Sequence, residues 1–312
     1  MQRVLDPAQI EAFAERDFPR LRLPGRRAVF SVRAQRLRQL SSSPAAGHGQ
    51  SIAGYLRLMA LVADAQQAAL GALGLSSPSA AELERARTHG MPLLHAPSLA
   101  RDGLWRGVLG QICNAVLAGE ATLGGLPQQA VAACTRLLGA STDTLETQAD
   151  AVLTARSEEV DAAVAPFISA ALQVVWLELA SRLSAPEVPS LSVPGVCPVC
   201  GALPVASIVG AERGYRYLHC PLCATAWHLE RVKCSHCQAT EGIGYYSIEG
   251  GPATVRAEAC PSCHSYRKIL YQEKDMAVEP VADDLASLAL DLLMSSEGFH
   301  RASGNPLLWL AL

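Results

Sequence analysis

Two stretches decide the fold: CPVCGALPVASIVGAERGYRYLHCPLC at 197–223 and CSHCQATEGIGYYSIEGGPATVRAEACPSC at 234–263. Each opens and closes on a Cys-x-x-Cys pair, and the gaps between successive pairs are 19, 10 and 22 residues. The two longer gaps each hold two strand-like runs. These lie at 204–209 and 215–218 about a turn at Arg213-Gly214, and at 244–248 and 253–258 about one at Gly250-Gly251. The short gap holds no such hairpin, so the segment reads as an internal duplication of knuckle, hairpin, knuckle.

Two residues between cysteines let one turn aim both sulfurs at a single ion, and a hairpin brings a second such turn opposite to complete a tetrahedron. Gly201, directly after the first pair, suits the left-handed backbone that such turns demand. The expected ligands are Cys197, Cys200, Cys220 and Cys223 for a first site and Cys234, Cys237, Cys260 and Cys263 for a second. Sequential pairing is preferred to an interleaved cross-brace because each long gap carries its own hairpin. Neither half can build a sufficient core, and metal ligation supplies on the order of 10 kcal/mol per structural site. Four sulfurs suit zinc or iron equally, and spacing does not separate them. His219, His236 and His264 flank the knuckles and are read as polar neighbours. The CPSCH run at 260–264 has the form of a haem attachment site, but that use would strip the fourth knuckle of its partner.

Working outward, the remaining cysteines, Cys113 and Cys134, fall in helical patterns and read as small buried hydrophobes without function. Eight of ten cysteines lie in one short segment, whereas a disulfide-stapled secreted protein would spread them. The opening MQRVLDPAQIEAFAERDFPR places Asp6, Glu11, Glu15 and Asp17 before any apolar run, unlike a secretory signal or transit peptide, so a cytoplasmic location is expected. The longest apolar stretch, 164–180, is broken by Pro166, Gln173 and Glu178, and no membrane insertion is expected.

Apolar residues recur every three to four positions at 51–73, 104–118 and 166–183, punctuated by SSSPAAGHG (41–49), SSPSA (76–80) and STDT (141–144). With half the residues hydrophobic and only 5% aromatic, the core is built from Ala, Leu and Val, which favours helices. SAPEVPSLSVPG (184–195), with three prolines, reads as a linker. After about 276 the helical period returns, with Asp283 or Asp284 available as N-cap and Asp284, Ser287, Leu288 and Asp291 on one side, where capping and solvation account for the aspartates. The expected architecture is α plus small β: an all-α helical domain at 1–190, two tandem rubredoxin-like or zinc-ribbon modules of four cysteines each at 191–233 and 234–275, and a C-terminal helical segment at 276–312.

Charge narrows the function. The chain carries a net −3, and between Pro194 and Asp275 eight basic side chains face seven acidic ones. Each tetrathiolate holding a divalent ion adds about −2, so the ribbons would repel a phosphate backbone and a protein partner fits better than nucleic acid. Seven arginines from Arg20 to Arg38, with no acidic residue among them, read as a solvated helix face packed through Phe30 and Leu37, in preference to a docking surface for an acidic partner. No Gly-rich phosphate loop, G-x-S-x-G elbow or H-E-x-x-H motif is present, so nothing points to an enzyme.

The chain resembles the formate dehydrogenase accessory protein family, FdhE. The resemblance is carried by CPVCGALPVASIV (197–209), RYLHCPLCATAWHLERVKCSHC (216–237), CPSCHSYRKILYQEKD (260–275) and VADDLASLALDLLMSSEGFHRASGNPLL (281–308), and more loosely by RRAVFSVRAQRLRQL (26–40) and YLRLMALVADAQQAAL (55–70). It implies a cytoplasmic maturation factor that contacts the catalytic subunit of respiratory formate dehydrogenase before twin-arginine export, without becoming a subunit. It also implies two bound metal ions on the eight cysteines named above, iron in preference to zinc. Self-association is compatible with it. A rubredoxin-like iron protein serving the same enzyme as a redox partner is the alternative.

Overall fold

A helix with no polar face can only be central, and here it is the helix Ala165–Ala180, all sixteen of whose residues are buried. The computed structural model describes residues 19–42, 50–75, 78–101, 103–123 and 125–309. The opening segment, most of SSSPAAGHG and the first two serines of the 76–80 run lie outside the described residues.

The described helices run α1 (Val29–Ser41), α2 (Gln50–Ala72), α3 (Ala80–Thr88), α4 (Leu104–Leu123), α5 (Gln128–Leu138), α6 (Thr142–Leu153) and α7, the central helix. Their starts follow ordinary capping chemistry. Ser79 and Glu82 form a capping box on α3, Ser141 caps α6, and Pro166 occupies the first turn of α7. Helices α2, α4 and α6 pack around α7, so its buried polar side chains, Ser169, Gln173 and Glu178, must find partners inside. Gln173 Oε1 accepts from Gln66 Nε2 at 2.8 Å and its Nε2 donates to the Pro221 carbonyl at 2.8 Å, while Glu178 meets Arg26 at 2.7 Å and Arg182 at 2.6 Å. Among the described residues no helix is long and apolar enough to cross a membrane.

The strands are β1 (Leu21–Arg22), β2 (Ala206–Val209), β3 (Arg216–His219), β4 (Ala226–His228), β5 (Gly244–Tyr246), β6 (Val255–Cys260), β7 (Ser265–Tyr271) and β8 (His300–Arg301). They form one sheet in the order β1-β4-β3-β2-β7-β6-β5, with β8 beside β7. Within it are two antiparallel triplets of the same construction, β2–β3–β4 and β5–β6–β7, joined where β2 runs parallel to β7 with Ala206 opposite Lys268 and Val209 opposite Tyr271. The duplication is therefore knuckle, hairpin, knuckle, strand. The third strand of each repeat escapes a pattern search because β4 is three residues long and β7 is the charge-bearing SYRKILY.

Three expectations are corrected. The segment 184–195 is not a free linker: Arg20 donates to the Val188 carbonyl at 2.8 Å and Trp227 Nε1 to the Pro194 carbonyl at 2.8 Å, which stitches it to both parts. The arginine run is a solvated face only in part: Phe30 and Leu37 pack inward and Arg20, Arg22, Arg26, Arg27 and Arg38 are exposed, but two of the seven arginines are not. Arg33 and Arg36 are buried, Arg33 meeting Glu279 at 3.1 Å and Arg36 gripping Asp283 at 2.9 and 2.6 Å. Arg22 lies over the Tyr217 ring at 3.8 Å, and Arg38 pairs with Asp64. Finally, the C-terminal part is two helices, α8 (Pro280–Ala286) and α9 (Leu288–Ser296), and the N-cap of α8 is Glu279, whose carboxylate accepts from the N–H groups of Val281 and Ala282. Asp283 and Asp284 lie inside α8 and are buried, not solvated, and neither is the N-cap, although Asp283 accepts from the N–H of Glu279 at 2.7 Å.

Candidate metal centres

All eight cysteines of the ribbon segment come together in two groups of four, each with its sulfurs within 4.8 Å of one another. In the first, Cys197 Sγ lies 3.6 Å from Cys223 Sγ and Cys200 Sγ 3.3 Å from Cys220 Sγ. In the second, Cys234 is 3.7 Å from Cys263 and Cys237 is 3.6 Å from Cys260. A covalent S–S bond is about 2.05 Å, and all ten cysteines are free thiols. A tetrahedron with metal–sulfur bonds of about 2.3 Å has edges of about 3.8 Å, close to these separations.

The backbone explains the convergence. The N–H of Cys197 donates to the Ala202 carbonyl, that of Cys220 to Thr225 and that of Cys234 to Ala239, while Cys260 sits opposite Ser265 in the ladder, so four knuckles close over the same interval. Each knuckle then turns through a left-handed residue: Gly201 at φ +81°, Ala224 at +58°, Gln238 at +68° and His264 at +52°. Only the first is glycine. The turn also aims N–H groups at sulfur: Leu222 and Cys223 donate to Cys220 Sγ, and His236 and Cys237 to Cys234 Sγ, all at 3.4 Å. Such donors favour a thiolate over a thiol.

The electrostatics fit a cation at each cluster. Burial pushes the thiols of Cys197 and Cys200 well up. Burial opposes ionisation of Cys223 too, but hydrogen bonds from the neighbouring thiols and Thr225 overcome it and bring the group well down. At the second cluster burial again opposes ionisation, yet the N–H groups of Cys263 and Ser262 bring Cys260 down to about 7. Cys237 is favoured by the Ala239 backbone, but desolvation and the sulfurs of Cys260, Cys263 and Cys234 push it up to about 12. Four thiolates at this spacing repel one another, and a central divalent ion is what permits all four to ionise.

The two clusters differ in surroundings. The first is wedged against the helices: Leu94 N donates to Val199 O at 2.7 Å, Ala96 N to Cys200 O at 2.9 Å, and Trp176 Nε1 of α7 to Leu94 O at 2.9 Å. The second sits near the outer end of the sheet beside Tyr246 and Phe299, with Cys237 exposed and Cys263 half-buried. None of the histidines flanking the knuckles joins either group, and the His264 ring lies 6.3 Å from that of Phe299, tilted by 35°. Cys113 and Cys134 lie apart from both clusters, buried on α4 and α5. The Cys113 thiol is near enough to push Cys134 up, so they are neighbours despite their separation in sequence.

Sequence reasoning missed the charged groups that hold these clusters in place. Arg216, buried in β3, reaches Glu258 of β6 at 2.7 Å, Ser207 at 3.1 Å and the Lys233 carbonyl at 2.9 Å, tying the two repeats across the seam. Arg267 of β7 donates to Ser235 Oγ, inside the third knuckle, at 2.7 Å and to Ser303 at 2.7 Å. Lys268 is wholly buried, with Asp291 at 2.7 Å and Asp284 at 3.5 Å. Asp284 in turn receives Arg301 at 2.6 Å and Asn305 at 2.8 Å. The only signal available beforehand was the placement of basic residues in strand-like segments.

Comparison with known proteins gives the same answer along the whole length. Family models match consecutively: FdhE N-terminal over 18–192, FdhE central domain over 196–231 and FdhE C-terminal domain over 232–308. The chain is 41% identical to a Protein FdhE homolog of Cronobacter sakazakii, covering 98% of this chain and 97% of that one. It is 41% identical to Protein FdhE of Salmonella typhimurium, covering 93% and 91%. The crystal structure of the FdhE protein from Pseudomonas aeruginosa superposes with a TM-score of 0.78 at 38% identity, covering 93% of this chain and 99% of that chain. With two four-cysteine clusters seated on a helical body and these matches spanning it from end to end, the chain belongs to the FdhE family, the formate dehydrogenase accessory proteins that its sequence resembles.

Proposed function

We propose that this chain is a non-catalytic maturation factor for respiratory formate dehydrogenase, gripping the immature catalytic subunit in the cytoplasm before export. Its eight ribbon cysteines hold two metal ions in this reading, iron in preference to zinc. The observation that carries it is family membership across the full length together with two intact four-sulfur clusters. The residues of the clusters serve to hold an ion in place. Thiolates ligate, backbone N–H groups neutralise part of their charge, and the sheet fixes their spacing. The segments divide as helical region 1–190, metal modules 191–233 and 234–275, and C-terminal segment 276–312.

Deleting the gene from a host without a second copy should abolish formate-dependent respiratory activity while leaving the catalytic subunit translated, and full activity in the deletion strain would refute the proposal. A redox role is favoured by one observation, the exposure of Cys237. Colourless, zinc-loaded protein that restores full maturation would exclude that second reading.

A further inference from the structure

The two clusters have the same ligand chemistry and opposite accessibility. Cys197, Cys200 and Cys223 are 0% exposed and Cys220 is 3% exposed. Both knuckles of that cluster are hydrogen-bonded to the helical body, the first through Leu94 and Ala96 and the second through Gln173 to the Pro221 carbonyl. An ion held there leaves only if the junction between sheet and helices opens. The second cluster shows Cys237 to solvent, and the knuckle bearing it ends on Gln238, a non-glycine residue at φ +68° whose two amide atoms are buried without a hydrogen-bond partner. An unpaired buried amide and a left-handed side chain both weaken that turn. The other three sulfurs are better kept: Cys234 and Cys260 are 5% and 2% exposed, Cys263 is half-buried, and Arg267 anchors the Cys234 turn through Ser235.

We infer that the clusters divide their labour: the first is a sealed structural rivet, and the second is an exchange centre whose replaceable ligand is Cys237. The inference rests on the metal-holding reading above. In exchange, an incoming thiol gives up its proton and its sulfur bonds to the ion as the Cys237 Sγ–ion bond breaks. Cys237 takes up a proton, so four sulfurs and the net charge are conserved. The partner served is one that presents a thiolate or comparable soft donor to the face around Cys237 and Cys263.

The test uses the full chain loaded with zinc, counted by elemental analysis, then mixed with excess 4-(2-pyridylazo)resorcinol while iodoacetamide labelling is followed by mass spectrometry. One equivalent of zinc should leave at least tenfold faster than the other, with Cys237 the first cysteine labelled and Cys197, Cys200, Cys220 and Cys223 the last. Release of both ions at one rate, or early labelling within the first cluster, would overturn the inference. A count of no zinc at all would instead defeat the metal-holding reading on which it stands. Cys237→Ser should speed the fast phase and leave the slow one unchanged, and an altered slow phase would also count against it. The wild-type kinetics decide the matter if that variant does not fold.

Discussion

Three of the four knuckles place an ordinary side chain where glycine would be free of strain, and Gln238 is the least compensated of them, its amide being unpaired as well. The left-handed conformation costs an L-residue about 1–2 kcal/mol. Gln238→Gly should therefore stabilise the metal-free protein by about 1 kcal/mol in urea titration. Asp284 poses the opposite case. Burial opposes its ionisation, but Arg301 and then Lys268 overcome this and hold its carboxyl below the ordinary 3.8. A carboxylate depressed in the folded state contributes stability that is complete above that ordinary value and is lost as pH falls through the folded one. Asp284→Ala, which leaves the buried Lys268 and Arg301 to share Asp291 alone, should cost about 3–5 kcal/mol at pH 7 and shrink the loss of stability below pH 4, as measured by denaturation at both pH values. The convergence of eight cysteines into two groups of four was legible because a tetrahedral site would dictate residue type and interval together. Asp284 was not, because nothing local distinguishes a carboxylate facing solvent from one facing Arg301 and Lys268.

Between elements, the parallel seam of β2 and β7 changes what losing one site means. Each repeat supplies three strands, and β2 of the first pairs along the third strand of the second, with Arg216 bonded across the join. Gly195 packs so closely on the Ser235 carbonyl that a Cβ there would collide with it. The halves thus share one sheet and do not unfold as separate beads. Cys197→Ala, removing a ligand from the cluster beneath the helical body, should lower the metal content by two ions per chain. Cys237→Ala should lower it by one and leave the far-ultraviolet circular dichroism near wild type, with elemental analysis separating the two outcomes. Helices α2, α4 and α7 were readable because their apolar residues recur at the helical interval. The partnership of α1 with α8 through Arg33, Arg36, Glu279 and Asp283 was not, since those pairs are some 246 residues apart and buried charge runs against composition.

At the scale of the molecule, a helical body clamps one face of a fused double ribbon, and the C-terminal helices close back onto both through ion pairs at α1 and β7. This explains why 184–195 could be mistaken for a linker: its prolines are those of a loop, while the contacts that fix it come from Arg20, Arg87 and Trp227 on distant elements. Fold class and the grouping of the eight cysteines follow from short-range spacing, whereas the way the parts are joined depends on long-range pairing that no window of sequence contains. Rivet and exchange centre alike depend on the sulfurs being occupied in holding ions. Elemental analysis with an optical spectrum on anaerobically purified full-length protein addresses that directly: it should find two ions per chain, with the charge-transfer absorption of an iron tetrathiolate if iron is native and a colourless spectrum if zinc is. Metal-free protein with its ribbon cysteines joined as disulfides would contradict it.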